Sequence, residues 1–337
     1  MNIQENISLL PFNTFGIDKN ARFFAVATST EEVKQLIQKS KEMNVPLFIL
    51  GGGSNILLTK NLEALVMKIE IKGFELIEED ENGVLVKVGA GESWHEFVLY
   101  CIQKNWGGVE NLSLIPGTVG ASPMQNIGAY GIEIKEVFDH LEAINRNTNE
   151  VRKFYSEECK FGYRESVFKN DLKEQYVITH VVFRLSKSPV IHAEYGAIRQ
   201  TLKEKGIESP TIKDISDAVI DIRRSKLPDP AHIGNAGSFF KNPTVPVSIF
   251  ENIKSEFPNV PGFPNEEGVK IPAAWLIEQT GWKGKKFGNI GVHQFQPLVL
   301  VNYGGGEGND IKELSLRIQE SVLNKFNVPL QPEVNFL

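Results

Sequence analysis

The sequence has very little cysteine. Cys101 and Cys159 are the only two cysteines among 337 residues, and neither lies in a CxxC motif. So few thiols exclude a disulfide scaffold and a cysteine-based zinc site, and they indicate reduced, unpaired thiols in a cytoplasmic protein. The six histidines are scattered and form no ligand-spaced cluster with cysteine, so we expect no structural metal.

A basic surplus and a long apolar run are both missing. The 36 Lys and Arg residues are outnumbered by 42 Asp and Glu residues, which gives a formal net charge of -6 at pH 7. Such a chain has no overall field to attract nucleic acid or an anionic membrane. No apolar run approaches the roughly 18 residues of a membrane helix, and Met1–Glu5 lacks the basic region of a signal peptide. We therefore expect a cytoplasmic protein with small-molecule partners. Separately from this argument, we expect a monomer.

Hydrophobic residues make up 41% of the sequence and charged residues 23%, which is typical of globular domains. The length predicts two or three domains, and the mixed periodicities predict an α+β fold rather than a doubly wound sheet. Helices are predicted at 30–43 with a Thr30 cap, at 93–103, at 211–226, from Pro272 to Gly281 and from Asp310 to Phe326. Strands are predicted at 45–50, 64–69, 84–88, 141–145, 151–155 and 176–185.

Two glycine-rich stretches can offer backbone groups to a ligand. Residues 51–55 (GGGSN) follow a predicted strand, and N–H groups in such a turn can point together at a diphosphate. The stretch is not a GxGxxG motif, because Ile56 replaces the third glycine, and a tight structural turn is the competing interpretation. Residues 107–131 contain six glycines and one charged residue, Glu110. Their polar groups must be satisfied within the protein or by a ligand, for which a flat heteroaromatic cofactor is suitable.

A third stretch, residues 234–243, places one hydroxyl, that of Ser238, among small residues. Two aromatic rings, a lysine and an asparagine follow within five positions, so the segment can bind a polar substrate and move a proton. The competing interpretation is an ordinary loop or capping serine. A Ser-His-Asp hydrolase is disfavoured, because Ser238 lies outside any GxSxG motif.

Taken together, these stretches resemble the type I subgroup of the UDP-N-acetylenolpyruvoylglucosamine reductase family. The resemblance covers nearly the whole chain, and no single motif decides it. The ordered set does, and it comprises Asn13–Ile17, Gly51–Asn55, Ile115–Gly117, Gln125–Gly131, Phe161–Arg164, Glu194–Gly196, Lys226–Pro230 and Pro332–Val334.

The resemblance implies a two-part FAD-binding region of the vanillyl-alcohol-oxidase type, followed by a separate α+β substrate-binding domain. We accordingly predict residues 1–70 with the tail 328–337 as the first part, 71–226 as the second and 227–327 as the substrate domain. The implied reaction uses NADPH to reduce non-covalently bound FAD. The reduced flavin then converts the enolpyruvyl ether of UDP-N-acetylglucosamine to the lactyl ether of UDP-N-acetylmuramate, a peptidoglycan precursor.

The resemblance also implies a role for individual residues. Arg164 contacts the substrate carboxylate, Ser238 donates a proton to C2, and Glu333 polarises the site or relays a proton. The implied FAD-binding residues are Gly51, Gly52, Gly53, Ser54, Asn55, Pro116, Gly117, Gly120, Ser122, Gln125, Asn126, Gly128, Ala129, Tyr130 and Arg223. The implied substrate-binding residues are Tyr163, Tyr195, Lys226, Asn242 and Gln296. The basic run Lys283–Lys286 is interpreted as a solvated surface instead.

Two other functions stay open at this point. The first is another FAD-dependent oxidoreductase of the same superfamily, acting on a small alcohol or lactone. Such oxidases often tether flavin through histidine or cysteine, and residues 51–55 contain neither. The second is a non-catalytic nucleotide-binding protein, which does not need a reaction centre. The presence of Arg164, Ser238 and Glu333 weighs against it.

Overall fold

A computed structural model describes residues 2–337, and these residues divide into two compact units. The first unit comprises the residues up to Ile7, Ala21–Gly53 and Leu62–Ser225. The second unit comprises Ser8–Asn20, Ser54–Asn61 and Lys226–Leu337. The three-part division into 1–70 with 328–337, 71–226 and 227–327 stays a prediction.

Helices and strands are mixed along the chain. The helices are α1 Thr30–Glu42, α2 Trp94–Gln103, α3 Ser156–Cys159, α4 Gly196–Glu204, α5 Ile212–Lys226, α6 Val247–Glu256, α7 Ala273–Gln279 and α8 Gly308–Phe326. The strands are β1 Gln4–Ser8, β2 Asn20–Ala27, β3 Leu47–Leu50, β4 Ile56–Leu57, β5 Leu62–Ile69, β6 Phe74–Glu79, β7 Gly83–Gly89, β8 Gly128–Ala129, β9 Ile132–Glu133, β10 Phe138–Asn145, β11 Val151–Tyr155, β12 Tyr176–Ser186, β13 Gly234–Asn235, β14 Thr244–Val245, β15 Phe263–Asn265, β16 Gly268–Lys270, β17 Lys286–Phe287, β18 Ile290–Val292, β19 Leu300–Asn302 and β20 Asn335–Phe336. Short 3₁₀ helices span Leu10–Phe12, Glu110–Leu112, Val119–Gln125 and Ile134–Glu136.

The first unit contains two sheets. One has the order β1-β2-β5-β3, in which β5 pairs in parallel with β2 and β3. The other is antiparallel, with the order β11-β10-β12-β7-β6. Helix α2 packs on the second sheet, where the rings of Phe97 and Phe183 lie 4.8 Å apart and Trp94 meets both edge-on. This aromatic cluster fixes α2, whose first turn borders the glycine-rich segment.

The second unit is built from shorter strands around long helix α8. Its sheets have the orders β13-β19-β18-β17 and β14-β16-β15, and the C-terminal strand β20 pairs in parallel with β4. Asn302, at the end of β19, is buried and bonds in three directions. Its Nδ2 donates to Phe15 O at 2.9 Å, while its Oδ1 accepts from the N–H groups of Gly304 and Gly306 at 3.0 and 2.9 Å.

The α+β class and the predicted elements with strong periodicity are confirmed. In the helix over 30–43, Val33, Leu36 and Ile37 are buried at helical spacing. The capping box at the start of α5 is present, since Thr211 Oγ1 accepts from Asp214 N while the Asp214 carboxylate accepts from Thr211 N. None of the helices within residues 2–337 is both long and apolar enough to cross a bilayer.

Three helix starts differ from the prediction by a few residues. Ser29 rather than Thr30 caps α1, because its side chain accepts from Glu32 N. Pro272 precedes α7 as its cap instead of occupying the first helical position, and α8 begins before Asp310, at Gly308. Helix ends are set by which backbone donors find partners, and composition alone does not reveal this.

We predict that Asn302→Ala lowers the free energy of unfolding by about 3 kcal/mol, because it leaves one buried carbonyl and two N–H groups without their partner. Thermal and urea unfolding of the purified protein measure this. Asn309→Ala is the control, since the Asn309 amide makes one exposed bond to Thr59 O and its loss is expected to change stability by less than about 0.5 kcal/mol. Equal effects of the two substitutions would contradict the prediction.

Candidate active site

The two glycine-rich stretches predicted to bind one cofactor meet in the first unit. A Cβ atom added to Gly52 would lie 2.8 Å from the Cα of Gly117, and one added to Gly51 would lie 2.8 Å from Thr118 Oγ1. Gly53 and Gly117 adopt φ values of 64° and 118°, which strongly favour glycine. The turn therefore presents backbone rather than side chains, and this fits the diphosphate of a cofactor such as FAD.

The segment after Gly117 contains a 3₁₀ helix over Val119–Gln125. The helix ends at Asn126, which has a φ of 44° and is fully buried. Its Nδ2 donates to Glu133 Oε2 at 2.8 Å and to Gly162 O at 3.1 Å, and its Oδ1 accepts from Lys135 N at 3.2 Å. Asn126 thus holds the predicted cofactor segment in shape from within.

The other predicted cofactor residues of this segment differ in their contacts and in their exposure. The Ser122 hydroxyl is buried and donates to Val119 O at 2.7 Å, so it stabilises the 3₁₀ helix itself. A Cβ on Gly120 would lie 2.5 Å from that of Ala90, so this glycine permits close packing on the strand end. Pro116 is exposed, whereas Gln125 and Ala129 are partly exposed. Direct contact of these residues with FAD stays a prediction.

Arg164 lies against the far end of the same segment. Its Nη2 donates to Gly128 O at 2.6 Å, and a Cβ on Gly128 would lie 3.2 Å from Nη1. The guanidinium also lies 5.3 Å from the centre of the Tyr163 ring. Arg164 has a φ of 55°, a conformation that arginine rarely adopts and that surrounding contacts must maintain. The structure therefore brings Arg164, Tyr163 and Gly128 together.

A second group of predicted residues forms around Tyr130. The positive charge of Arg223 acts on its hydroxyl group, and its ring meets the ring of Tyr195 edge-on at 5.2 Å. Burial raises the pKa of Tyr130, and burial lowers the pKa of Arg223. Tyr195 is 52% exposed and precedes α4. A neutral phenol, a cation and an exposed ring thus lie side by side.

Asn111 and His95 belong to this part of the first unit, although neither was predicted as a site residue. Asn111 is buried, and its Nδ2 donates to His192 O at 3.0 Å and to Tyr130 O at 3.4 Å. Its Oδ1 has no hydrogen-bond partner within the described residues. The available signal was position, because Asn111 lies inside the nearly uncharged stretch.

In the second unit, Ser238 and Glu333 are brought close by backbone pairing. Glu333 N donates to Phe239 O at 2.8 Å, and Phe240 bridges to Pro332 in antiparallel fashion. Asn55 Nδ2 donates to Glu333 O at 3.2 Å. Ser238 itself is exposed, between Gly237 with a φ of 70° and the buried Phe239. The segment is thus fixed while Ser238 is exposed.

The turn that carries Gln296 is hydrogen-bonded to the same segment. Phe239 N donates to Leu298 O at 2.7 Å, and Leu298 N donates to Gln296 Oε1 at 3.3 Å. His293, in the same turn, is buried, and burial lowers its pKa. Its Nδ1 has no hydrogen-bond partner among residues 2–337.

The remaining predicted substrate residues occupy separate positions. Asn242 Oδ1 accepts from Ala273 N at 2.9 Å, so it stabilises the start of α7. Lys226 is exposed at the last position of α5. No group of three or more His, Cys, Asp or Glu side chains within residues 2–337 is arranged to hold a metal ion.

Family models match both ends of the chain. Residues 21–153 match the model of an FAD binding domain, and residues 229–337 match the model of the UDP-N-acetylenolpyruvoylglucosamine reductase C-terminal domain. The first match covers Gly51–Gly53 and most of the residues predicted to line FAD. The second covers Ser238 and Glu333. The predicted FAD-binding region and a following C-terminal domain are therefore confirmed.

Whole-length relatives carry the same description. The chain is 51% identical over 339 residues to UDP-N-acetylenolpyruvoylglucosamine reductase of Flavobacterium johnsoniae, with all of both chains covered. It is 47% identical over 336 residues to the reductase of Pseudomonas aeruginosa, with 99% of each covered. The crystal structure of the Thermus caldophilus enzyme has a TM-score of 0.70 at 22% identity, covering 100% of this chain and 99% of that one, and so shares the fold.

We predict that Gly52→Ala raises the FAD dissociation constant at least about tenfold, because its Cβ would collide with the backbone of Gly117 and separate the two stretches. Fluorescence titration of the apoprotein with FAD gives the value. Gly196→Ala is the matched control, since a Cβ there meets nothing within 4 Å. Unchanged affinity in Gly52→Ala would show that the close approach is not needed for binding.

Proposed function

This chain belongs to the UDP-N-acetylenolpyruvoylglucosamine reductase family, and we propose that it reduces UDP-N-acetylglucosamine enolpyruvate to UDP-N-acetylmuramate with NADPH. It is an oxidoreductase with an FAD binding domain, and the family supports a role in peptidoglycan precursor synthesis. The observation that carries the proposal is the 51% identity over the whole chain. No observation favours an oxidase of a small alcohol or lactone. We also propose that the protein acts in the cytoplasm as a monomer.

Residues 51–55 and 115–131 would hold FAD, which would supply hydride transfer from NADPH to the terminal carbon of the substrate alkene. The protein must then stabilise the negative charge that collects on C2 and the adjoining carboxylate, and must supply one proton to C2. The first demand is for fixed cations or donors. The second is for an acid that can approach C2.

We assign Arg164 to the substrate carboxylate. A guanidinium stays charged at every working pH and can donate two parallel hydrogen bonds to a carboxylate. The bond from its Nη2 to Gly128 O supports the assignment, because it leaves the direction of the fork fixed before a ligand arrives. A group that is held in place in advance needs no reorganisation during the reaction.

We assign Ser238 as the proton donor to C2 and Glu333 as the group that assists it. A serine hydroxyl is a weak acid, so it gives up a proton only to a strongly basic carbon and with support from neighbouring groups. The exposure of Ser238 supports this assignment, and so does the hydrogen bond between the backbones of the adjacent Phe239 and Glu333. Glu333 can then polarise the site or return a proton to the serine.

We assign the remaining residues to binding. The backbone at residues 51–55 would hold the FAD diphosphate, residues 115–131 would line the flavin, and Arg223 would add a cation beside Tyr130. For the substrate, Lys226 and the Asn242 amide would contact the UDP diphosphate, with Gln296 nearby, and the exposed ring of Tyr195 would cover it. Tyr163 would lie beside the carboxylate bound by Arg164.

We predict that Ser238→Ala leaves the rate of flavin reduction by NADPH within about twofold of wild type but slows substrate turnover by about 10²–10⁴-fold, because only proton donation is lost. Stopped-flow flavin absorbance separates the two half-reactions. Ser248→Ala, at an exposed serine of the same unit, is the control and is expected to change neither. Equal losses in both half-reactions would refute the assigned role.

The whole proposal is tested with the unaltered protein. We expect it to bind FAD, to be reduced by NADPH without air, and to regain flavin absorbance when UDP-N-acetylglucosamine enolpyruvate is added, with UDP-N-acetylmuramate as product. An NADH arm measures the preference for the reductant. A reduced protein that the enolpyruvyl ether does not reoxidise would disprove the function.

A further inference from the structure

Leu114 adopts a left-handed backbone conformation, with a φ of 59°. This conformation is uncommon for residues other than glycine and asparagine, and it costs of order 1–3 kcal/mol unless the surroundings maintain it. Leu114 immediately precedes residues 115–117, the part of the segment whose Gly117 lies against Gly52. The unusual turn at Leu114 therefore sets the direction in which that part leaves the core.

Two side chains hold the peptide groups of Leu114 from opposite sides. The Leu114 N–H donates to His95 Nδ1 at 3.0 Å. The Leu114 carbonyl accepts from Arg223 Nε at 3.2 Å. His95 lies in the first turn of α2 and Arg223 near the end of α5, so two separate helices fix one residue.

Helix α2 also fixes the other end of this short stretch. Trp94, next to His95, donates its backbone N–H to Gly117 O at 3.1 Å, and its ring Nε1 donates to Leu112 O at 2.9 Å. The aromatic packing of Trp94 on Phe97 and Phe183 keeps this turn of α2 in place. Hydrogen bonds to His95 and Trp94 thus hold the two ends of residues 114–117.

We propose that His95 is a positioning residue for FAD: its unprotonated Nδ1 holds Leu114 in the left-handed conformation and so keeps residues 115–117 against Gly51 and Gly52. The inference rests on the proposed assignment of these residues to FAD. Its consequence is that FAD binds to the protein with neutral His95. Protonation would place a second N–H against the N–H of Leu114, and the holding bond would be lost.

The surroundings of His95 favour the neutral form. Burial lowers the pKa of the imidazole, and the charges of Arg224 and Arg223 on α5 lower it further, while Glu96 on α2 raises it. A lowered pKa means that the stabilising bond is fully present above the ordinary value of about 6.5 and is lost as the pH falls through the lowered pKa. FAD affinity is therefore expected to fall on the acid side.

The test measures the FAD dissociation constant of the apoprotein by flavin fluorescence from about pH 8 to about pH 5. For wild type, we expect the constant to rise toward the tenfold-per-pH-unit limit of one linked proton below the His95 pKa. His95→Asn places an acceptor oxygen where Nδ1 stands but cannot titrate, so its affinity should be close to wild type at pH 8 and nearly independent of pH. His95→Phe keeps a ring without an acceptor and should weaken FAD binding about tenfold at pH 8.

The control is His180→Asn, at another part-buried histidine of the same unit, whose pKa is also lowered by burial. It should retain the wild-type pH dependence. The inference is overturned if His95→Asn keeps that dependence, or if His95→Phe binds FAD as tightly as wild type. Thermal unfolding of each apoprotein at each pH separates loss of FAD binding from loss of fold. Wild-type protein that binds no FAD at any pH would instead overturn the proposed function together with this inference.

Discussion

The approach of Gly52 to Gly117 leaves no room for a side chain, and the arrangement of the predicted cofactor segment depends on it. Two pieces of backbone come this close only if both ends of each piece are held. Strand β3 holds one piece. The segment around Gly117 is not part of a long strand, so individual side chains hold it by hydrogen bonds. His95 and Arg223 hold it at Leu114, and Asn126 holds it beyond the 3₁₀ helix. Residues that would be expected to touch a ligand are therefore occupied in part with shaping the segment that receives it.

A nearly uncharged stretch of this length is ordered because its backbone groups are paired locally. Trp94 N donates to Gly117 O, Val119 N donates to Glu92 O, and Gly120 N donates to Ala90 O. The segment therefore runs along the residues between the end of β7 and the start of α2. The small size of Gly120 permits the last of these contacts, since a Cβ there would meet Ala90. Pairing of this kind satisfies the demand that buried peptide groups be bonded without any charge to attract solvent. Pro116 is left exposed in this segment.

Much of the fold could be predicted because periodicity and capping are local. The buried stripe of α1, the Thr211–Asp214 box and the long strands β10 and β12 each follow from residues within one turn or one strand. The 3₁₀ helix over Val119–Gln125 could not, because it contains Pro123 and forms against the sheet behind it. The positive φ values of Leu114, Tyr130 and Arg164 likewise come from tertiary contacts that override local preference. Spacing along the chain did not join Ser238 to Glu333 either. That expectation came from family resemblance, whereas the selection of site residues from it stays a set of predictions.

In the second unit, Ser238 is exposed although the backbone beside it is held by hydrogen bonds. Backbone hydrogen bonds to Glu333 and Leu298 hold Phe239, whose side chain is completely buried. These bonds do not use the side chain of the neighbouring Ser238. Gly237, with a φ of 70°, turns the chain just before the serine and so lets the hydroxyl project while its neighbour points inward. For the proton transfer that we propose for Ser238, a weak acid benefits from this arrangement more than a strong one. Its proton transfer is efficient only at short, well-oriented contact with the carbon that receives it, and a mobile hydroxyl would spend most of its time hydrogen-bonded to water.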